Sequence, residues 1–363
     1  MERADYVTCR IAAQALDFDP EEHFTAKQTV PLDRFAQMAI VAAREALSDS
    51  QIDPQSDVVR QAGVIVGVGV GGMHTLDDAY YRVYHDDIRR VHPLSVPRLM
   101  ANAAASQVSM HLGMRGLTYS VASACASGTH AIGQAFQIVR SGMATMMLCG
   151  GAEACITPGT IVAWEALRVL ATDTCRPFSK NRSGLVLGEG AAMLVLEDWD
   201  HAMARGATIY AEMRGFGGNA DAGDLTSPDQ DNVAAAMALA ISDAGLHPSD
   251  IGYVNAHGTG TTMNDRVESA AIRAIFGDTL PLVSSSKGVL GHSLGATGAL
   301  EAVITAMALR DQIVPPTANC DQPDDELGID MVPGAARPAS FSAALSNSFA
   351  FGGLNAVLAF GRA

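Results

Sequence analysis

The chain has 363 residues, 48% of them hydrophobic, which is enough to bury a large core and suits two domains or one double domain of the soluble globular class. Its 39 acidic residues against 24 basic give a formal charge of -15, which argues against general binding to nucleic acid or to an anionic membrane. No apolar run is long enough to span a bilayer and no leader pattern opens the sequence. Six scattered cysteines have neither metal-ligand nor disulfide spacing, so a reducing cytoplasm is expected.

In chain order, Phe35, Met38, Ala39, Ala42, Ala43 and Ala46 recur at helical spacing and predict an amphipathic helix over 33–47. Gly63-Val-Ile-Val-Gly67 reads as a buried strand, followed by the glycine loop Gly67–Gly72 and a helical stretch from Thr75. That loop matches G-x-G-x-x-G, the dinucleotide fingerprint, but Asp86 and Asp87, about twenty residues on, do not end a second apolar strand as the ribose contact requires. Close backbone approach is the competing reason for the glycines.

Helices are expected over 97–112 and 129–139, and buried strands at Met146–Gly151 and Gly190–Glu197. Beyond Asp200 the grammar repeats: helix 232–244, strand 251–256, helix 266–276, strand 282–285, helix 297–310. Strands alternating with helices predict an α/β fold with largely parallel pairing, in two successive halves, 1–205 and 206–363.

Between the 97–112 and 129–139 helices lies Tyr119-Ser-Val-Ala-Ser-Ala-Cys125, a short strand running through small residues into a helix start. A cysteine at such a corner faces unpaired N–H groups and the positive helix end, which favour thiolate near neutral pH. A buried free cysteine is equally at home as a small apolar side chain. Three further corners bear on the choice. A strand delivers His257 into Gly-Thr-Gly-Thr, Lys287, His292 and Glu301 surround a glycine-rich helix start, and a strand turns sharply at Phe351-Gly-Gly. Strand ends of a parallel sheet that face one way converge on one crevice.

The stretches Ala124-Cys125-Ala-Ser-Gly, Pro177–Ala191 with Gly188-Glu-Gly, Asn255-Ala-His-Gly-Thr-Gly-Thr, Lys287 with Gly291-His292, and Asn347-Ser-Phe-Ala-Phe-Gly-Gly stand together in this order. With them the chain resembles the β-ketoacyl-acyl carrier protein synthases of the thiolase superfamily, over nearly its whole length. The resemblance implies a five-layered α-β-α-β-α fold from two similar halves, paired as a homodimer. It also implies decarboxylative condensation of a Cys125-bound acyl group with malonyl-acyl carrier protein, with no metal and no cofactor.

By the same resemblance His257 and His292 bind the malonyl thioester carbonyl, Lys287 and Glu301 support His292, and the N–H groups of Cys125 and Phe351 receive the oxyanion. Thr259 and Thr261 fall on the substrate side of the His257 loop, and Val70 lines the far end of the acyl pocket. His292 in the third catalytic position favours the elongating branch over the initiating one, and Phe351-Gly-Gly stands where degradative thiolases carry a second cysteine. Two departures matter. The family opens with a strand and helix ahead of the point where this chain starts, which predicts an uncovered sheet edge. Val30-Pro31 replaces a basic pair, leaving Arg89 and Arg90 as the expected docking positions for an acidic carrier. A cysteine hydrolase or acyltransferase, or a carrier-binding subunit without turnover, remain the alternative readings.

Overall fold

The computed structural model describes residues 6–363. The first half builds a four-stranded sheet from β1 (Gly63–Gly67), β2 (Thr118–Val121), β3 (Met146–Glu153) and β4 (Gly190–Glu197) in the order β2-β1-β3-β4. The second half contributes β5 (Glu212–Ala220), β6 (Ile251–Asn255), β7 (Leu282–Ser284), β8 (Ile313–Val314), β9 (Asp330–Met331), β10 (Arg337–Pro338), β11 (Ala343–Ala350) and β12 (Leu354–Gly361). Six of these form a sheet ordered β5-β12-β11-β6-β7-β9, and β8 and β10 make a separate small ribbon.

The expected parallel pairing holds for β1 with β2 and β3, and along β11-β6-β7-β9. It fails at one side of each sheet, where β4 runs antiparallel to β3 and the β11–β12 hairpin and β5 are antiparallel. The hairpin has a simple cause: the tight turn at 351–353 returns the chain directly, whereas a parallel partner needs a long crossover. β4 is an outer strand, and much of its length is half-buried.

Strand alternation sorts the core into layers. On β1, Val64 and Val66 pack with Phe35, Ile40 and Val108 of the Arg34–Asp49 and Ala103–Leu112 helices, which form one outer layer. Ile65, on the opposite face, packs inward with Ile132 and Ala299 of the Ser127–Arg140 and Thr297–Asp311 helices. In the second sheet Leu345 and Val357 face outward, onto Val233 and Ile272 of the Gln230–Asp243 and Thr262–Phe276 helices. Ala344 and Leu358 face inward. Helices, sheet, central helices, sheet and helices make the five layers that the resemblance implied.

The central pair lies unusually close. A Cβ added to Gly298 would sit 1.9 Å from Thr129 Oγ1, so only glycine fits there. The two central helices also begin alike, each after a short 3-10 turn, Ala124–Ala126 and Leu294–Ala296, whose first residue has φ of 48° and 44° respectively. Cys125 and Gly295 occupy the same place in these two turns.

Candidate active site

Four chain corners converge as expected. Cys125, His257, His292, Thr259, Thr261 and Phe351 line one cavity of about 110 Å³. Cys125 is 5% exposed, in the 3-10 turn before the Ser127–Arg140 helix. The turn is cross-braced, because Ser123 N–H donates to Ser127 Oγ at 2.9 Å and Ser127 Oγ donates to Ala124 O at 2.7 Å.

The expectation of a thiolate near neutral pH is opposed by burial. Burial pushes the Cys125 thiol up to about 11, and the opposing pull of the Lys287 charge and of the Phe351 and Cys125 N–H groups is smaller. The sulfur lies in the turn ahead of the helix, where loss of water outweighs the helix end. Those same N–H groups nevertheless converge on the sulfur and on any carbonyl bonded to it.

His257 follows the end of β6. Its backbone N–H and that of Gly258 donate to Glu268 Oε1 and Oε2, both at 2.8 Å, so a carboxylate on the Thr262–Phe276 helix fixes the loop. Asn347 Nδ2 from β11 reaches the same Glu268 at 3.2 Å. His292 is held by its own N–H to Val186 O at 2.7 Å, and its carbonyl receives Gly188 N–H at 3.0 Å, which gives the Pro177–Ala191 stretch its place beside the site. The two imidazoles stand 5.4 Å apart and nearly perpendicular.

The surroundings of both histidines favour the neutral imidazole. Burial first, then the Lys287 charge, holds each well below the usual imidazole range, and for His257 the nearness of His292 adds to this. Leu294 N–H, which can only donate, points at His292 Nδ1 from 3.2 Å, with Thr297 Oγ1 at 3.0 Å. Nδ1 is therefore the acceptor and Nε2 carries the proton.

Lys287 and Glu301 do not line the cavity. They form a buried pair behind it, with Nζ 2.5 Å from Glu301 Oε1, and Nζ also donates to the carbonyl of His257. Burial raises Glu301 to about 7 against the pull of Lys287. Val70 is 44% exposed and outside the cavity, and Arg89 and Arg90 are exposed in the irregular stretch after the Met73–Tyr84 helix. The glycine loop does not offer its amides to a pyrophosphate, because Gly69, Val70 and Gly71 N–H all donate to Glu153.

The 351–353 turn uses Gly352 and Gly353 at φ of 84° and 67°, and a Cβ on Gly353 would lie 2.6 Å from the Asp221 side chain. Phe351 stacks on Trp164, with centroids 5.8 Å apart and planes 22° from parallel. Trp164 lines the cavity together with Leu225 and Met263, none of them anticipated from sequence. Trp164 rides on the Pro158–Ala166 helix, which is too uniformly apolar to show a periodic stripe. Thr157-Pro158, an N-cap followed by proline at the first helical position, was the available signal.

This architecture, with a cysteine and two histidines at the ends of duplicated strand-turn-helix units, defines a thiolase-like condensing enzyme. The chain belongs to the β-ketoacyl synthase family. The profile described as "Beta-ketoacyl synthase, N-terminal domain" matches residues 4–202, and "Beta-ketoacyl synthase, C-terminal domain" matches 210–321. The chain is 47% identical over 343 residues to "Nodulation protein E" of Rhizobium sp. (strain N33), covering 94% of this chain and 85% of that protein. It is 43% identical over 359 residues to "3-oxoacyl-[acyl-carrier-protein] synthase 2" of Staphylococcus aureus (strain COL), covering 96% and 87%. A solved β-ketoacyl synthase from Burkholderia phymatum STM815 superposes with a TM-score of 0.93 at 35% identity, covering all of this chain and 90% of that one. No helix among the described residues is long and apolar enough to cross a membrane.

Proposed function

We propose that the chain elongates a Cys125-bound acyl group by decarboxylative condensation with malonyl-acyl carrier protein, as part of fatty acid or polyketide synthesis. The observation that carries this reading is the convergence of two imidazoles and a cysteine on the lining of one cavity.

First, Cys125 sulfur attacks the acyl-carrier thioester, and the carrier thiol leaves with the cysteine proton. Malonyl-carrier then enters with its thioester oxygen toward His257 and His292. As the C–C bond to the carboxylate breaks and carbon dioxide departs, the electron pair moves onto that oxygen as an enolate. Neutral N–H donors stabilise this developing charge without protonating it outright. The enolate carbon attacks the acyl-Cys125 carbonyl, whose oxyanion lies against the N–H groups of Cys125 and Phe351. Collapse breaks the C–S bond, leaves β-ketoacyl-carrier and expels Cys125 as the thiolate, which takes a proton from solvent to restore the resting thiol. The hydrolase alternative needs a histidine oriented by an acid, but His292 Nδ1 takes a main-chain donor instead.

Intact-protein mass tests the reading. Incubation with a medium-chain acyl-carrier should add the acyl mass to the wild type, and malonyl-carrier should discharge it as a β-ketoacyl product. A folded chain that never acquires the adduct is a non-catalytic subunit.

Lys287 acts through the histidines, by lowering their proton affinity and holding the His257 carbonyl. Lys287→Ala is expected to slow carbon dioxide release about tenfold or more while acyl loading changes little. Comparing the two half-reactions checks it, and equal losses in both would assign Lys287 to the fold alone.

The carrier is acidic, and Arg89 and Arg90 are its proposed docking positions. Reversing both to glutamate should raise KM for each carrier substrate several-fold, in a salt-dependent way, with kcat unchanged. A homodimer, as the resemblance implies, is the proposed assembly, which sedimentation would test. Cytoplasmic residence fits six free, buried cysteines.

A further inference from the structure

We propose that Glu153 is a positioning residue for the condensation. Its single buried carboxylate ties the loop carrying Val70 to the turn that follows His292. Val70 lies outside the cavity, but the ketosynthase resemblance sets it at the far end of a longer acyl chain, so that accommodation of that chain and alignment of the decarboxylating pair are set together. The inference rests on the ketosynthase reading above.

Glu153 ends β3 and is fully buried. Its Oε2 accepts Gly69 N–H at 2.6 Å, Val70 N–H at 3.2 Å and Gly295 N–H at 3.2 Å, and Oε1 accepts Gly71 N–H at 3.2 Å. A carboxylate offers about four acceptor positions, and four main-chain donors take them. No cation pairs with it among the described residues, and burial lifts its carboxyl to about 7 against the pull of those N–H groups. A carboxylate kept in such a place is costly unless its geometry is needed.

The donors come from two segments far apart in sequence. One is the loop at the start of the Met73–Tyr84 helix, with Val70 at its tip. The other is the Leu294–Ala296 turn, whose Leu294 N–H fixes Nδ1 of His292. That turn repeats the one at Cys125, with Gly295 in the place of the nucleophile. At Cys125 the main-chain N–H faces the nucleophilic sulfur, whereas the Gly295 N–H is consumed by Glu153. The second copy of the turn is thereby a clamp. Displacing the Val70 loop moves Glu153, and Glu153 moves the amide that sets the His292 ring.

The test uses the full chain, wild type and Glu153→Gln, with acyl-carriers of two lengths and malonyl-carrier. The glutamine keeps the volume but turns one acceptor into a donor facing N–H groups. Malonyl-dependent kcat should fall about 10- to 100-fold with KM for malonyl-carrier unchanged. The ratio of kcat/KM for long over short acyl-carriers should shift about fivefold or more. Simple loss of folded protein lowers both substrates alike and leaves that ratio untouched, so an unchanged ratio in the variant overturns the proposal.

Should the variant not fold, amide exchange on the wild type decides. Acylation of Cys125 with the longer chain should alter protection of residues 69–71 and 293–296 together, and a change in one segment alone, or in neither, overturns the coupling. A wild type that neither loads nor discharges an acyl group defeats the ketosynthase reading itself. An active wild type with an indistinguishable Glu153→Gln defeats only the clamp.

Discussion

Cys125→Ala is expected to abolish acyl loading completely, with no adduct detectable by intact mass where the wild type is fully modified. No other thiol is placed to substitute. Cys149, Cys155 and Cys175 are deeply buried, with thiols pushed up by desolvation, and Cys320 is raised to about 11. None of these four, nor the buried Cys9, lines the cavity that holds the histidines. The histidine pair is intact in this variant, so malonyl-carrier still loses carbon dioxide. Without an acyl electrophile the enolate takes a proton, leaving acetyl-carrier. Loss of loading with retained carbon dioxide release is the expected result, and an adduct that persists would remove Cys125 from its role.

The same residue carries a pH prediction. With the thiol at about 11, only about one resting sulfur in ten thousand is ionised at pH 7. Alkylation of Cys125 by iodoacetamide should therefore climb about tenfold per pH unit with no plateau near neutrality, since the thiolate is the reacting form. A plateau between pH 6 and 8 would mean that the N–H groups and Lys287 outweigh burial. On the proposed mechanism acylation would escape this restriction, because the cysteine proton passes to the departing carrier thiol.

Much of this site is legible in the sequence because each functional side chain sits at a junction with local punctuation. Cys125, His257, His292 and Phe351 all stand where an apolar run meets Gly, Ser or Thr, and the strand and helix on either side have clear periods. What was not legible depends on distant partners. The β5 strand Glu212–Ala220 is invisible to propensity, since Gly215, Gly217 and Gly218 weaken any strand pattern; pairing with β12 makes it a strand.

The helix expected over 97–112 is two, Ser95–Leu99 and Ala103–Leu112, because Met100 leaves helical geometry at ψ 139°. Glu153 reads locally as the polar end of a buried strand. Its four donors lie in segments that only the fold brings to it. The upward push on the Cys125 thiol is not legible for a related reason: the helix start is written in the sequence, but the loss of water is a property of the assembled layers.

The second large effect is expected from His292→Ala. Acyl loading should survive, because the N–H groups of Cys125 and Phe351 that receive the first oxyanion belong to other segments. Malonyl decarboxylation should fall by about a hundred- to a thousandfold, the usual consequence of removing one preorganised donor from a developing oxyanion. The variant also strips Leu294 N–H and Thr297 of their ring partner, at a stability cost of about 1–3 kcal/mol, so activity is compared at a temperature where both proteins are folded. Carbon dioxide release and adduct formation, followed separately, give the split. Loss of loading with decarboxylation intact would exchange the roles, making His292 the partner of the cysteine and leaving the malonyl carbonyl to His257 alone. The geometry argues against that exchange, since a ring whose Nδ1 is tied to its own turn presents a proton and cannot act as the base for Cys125.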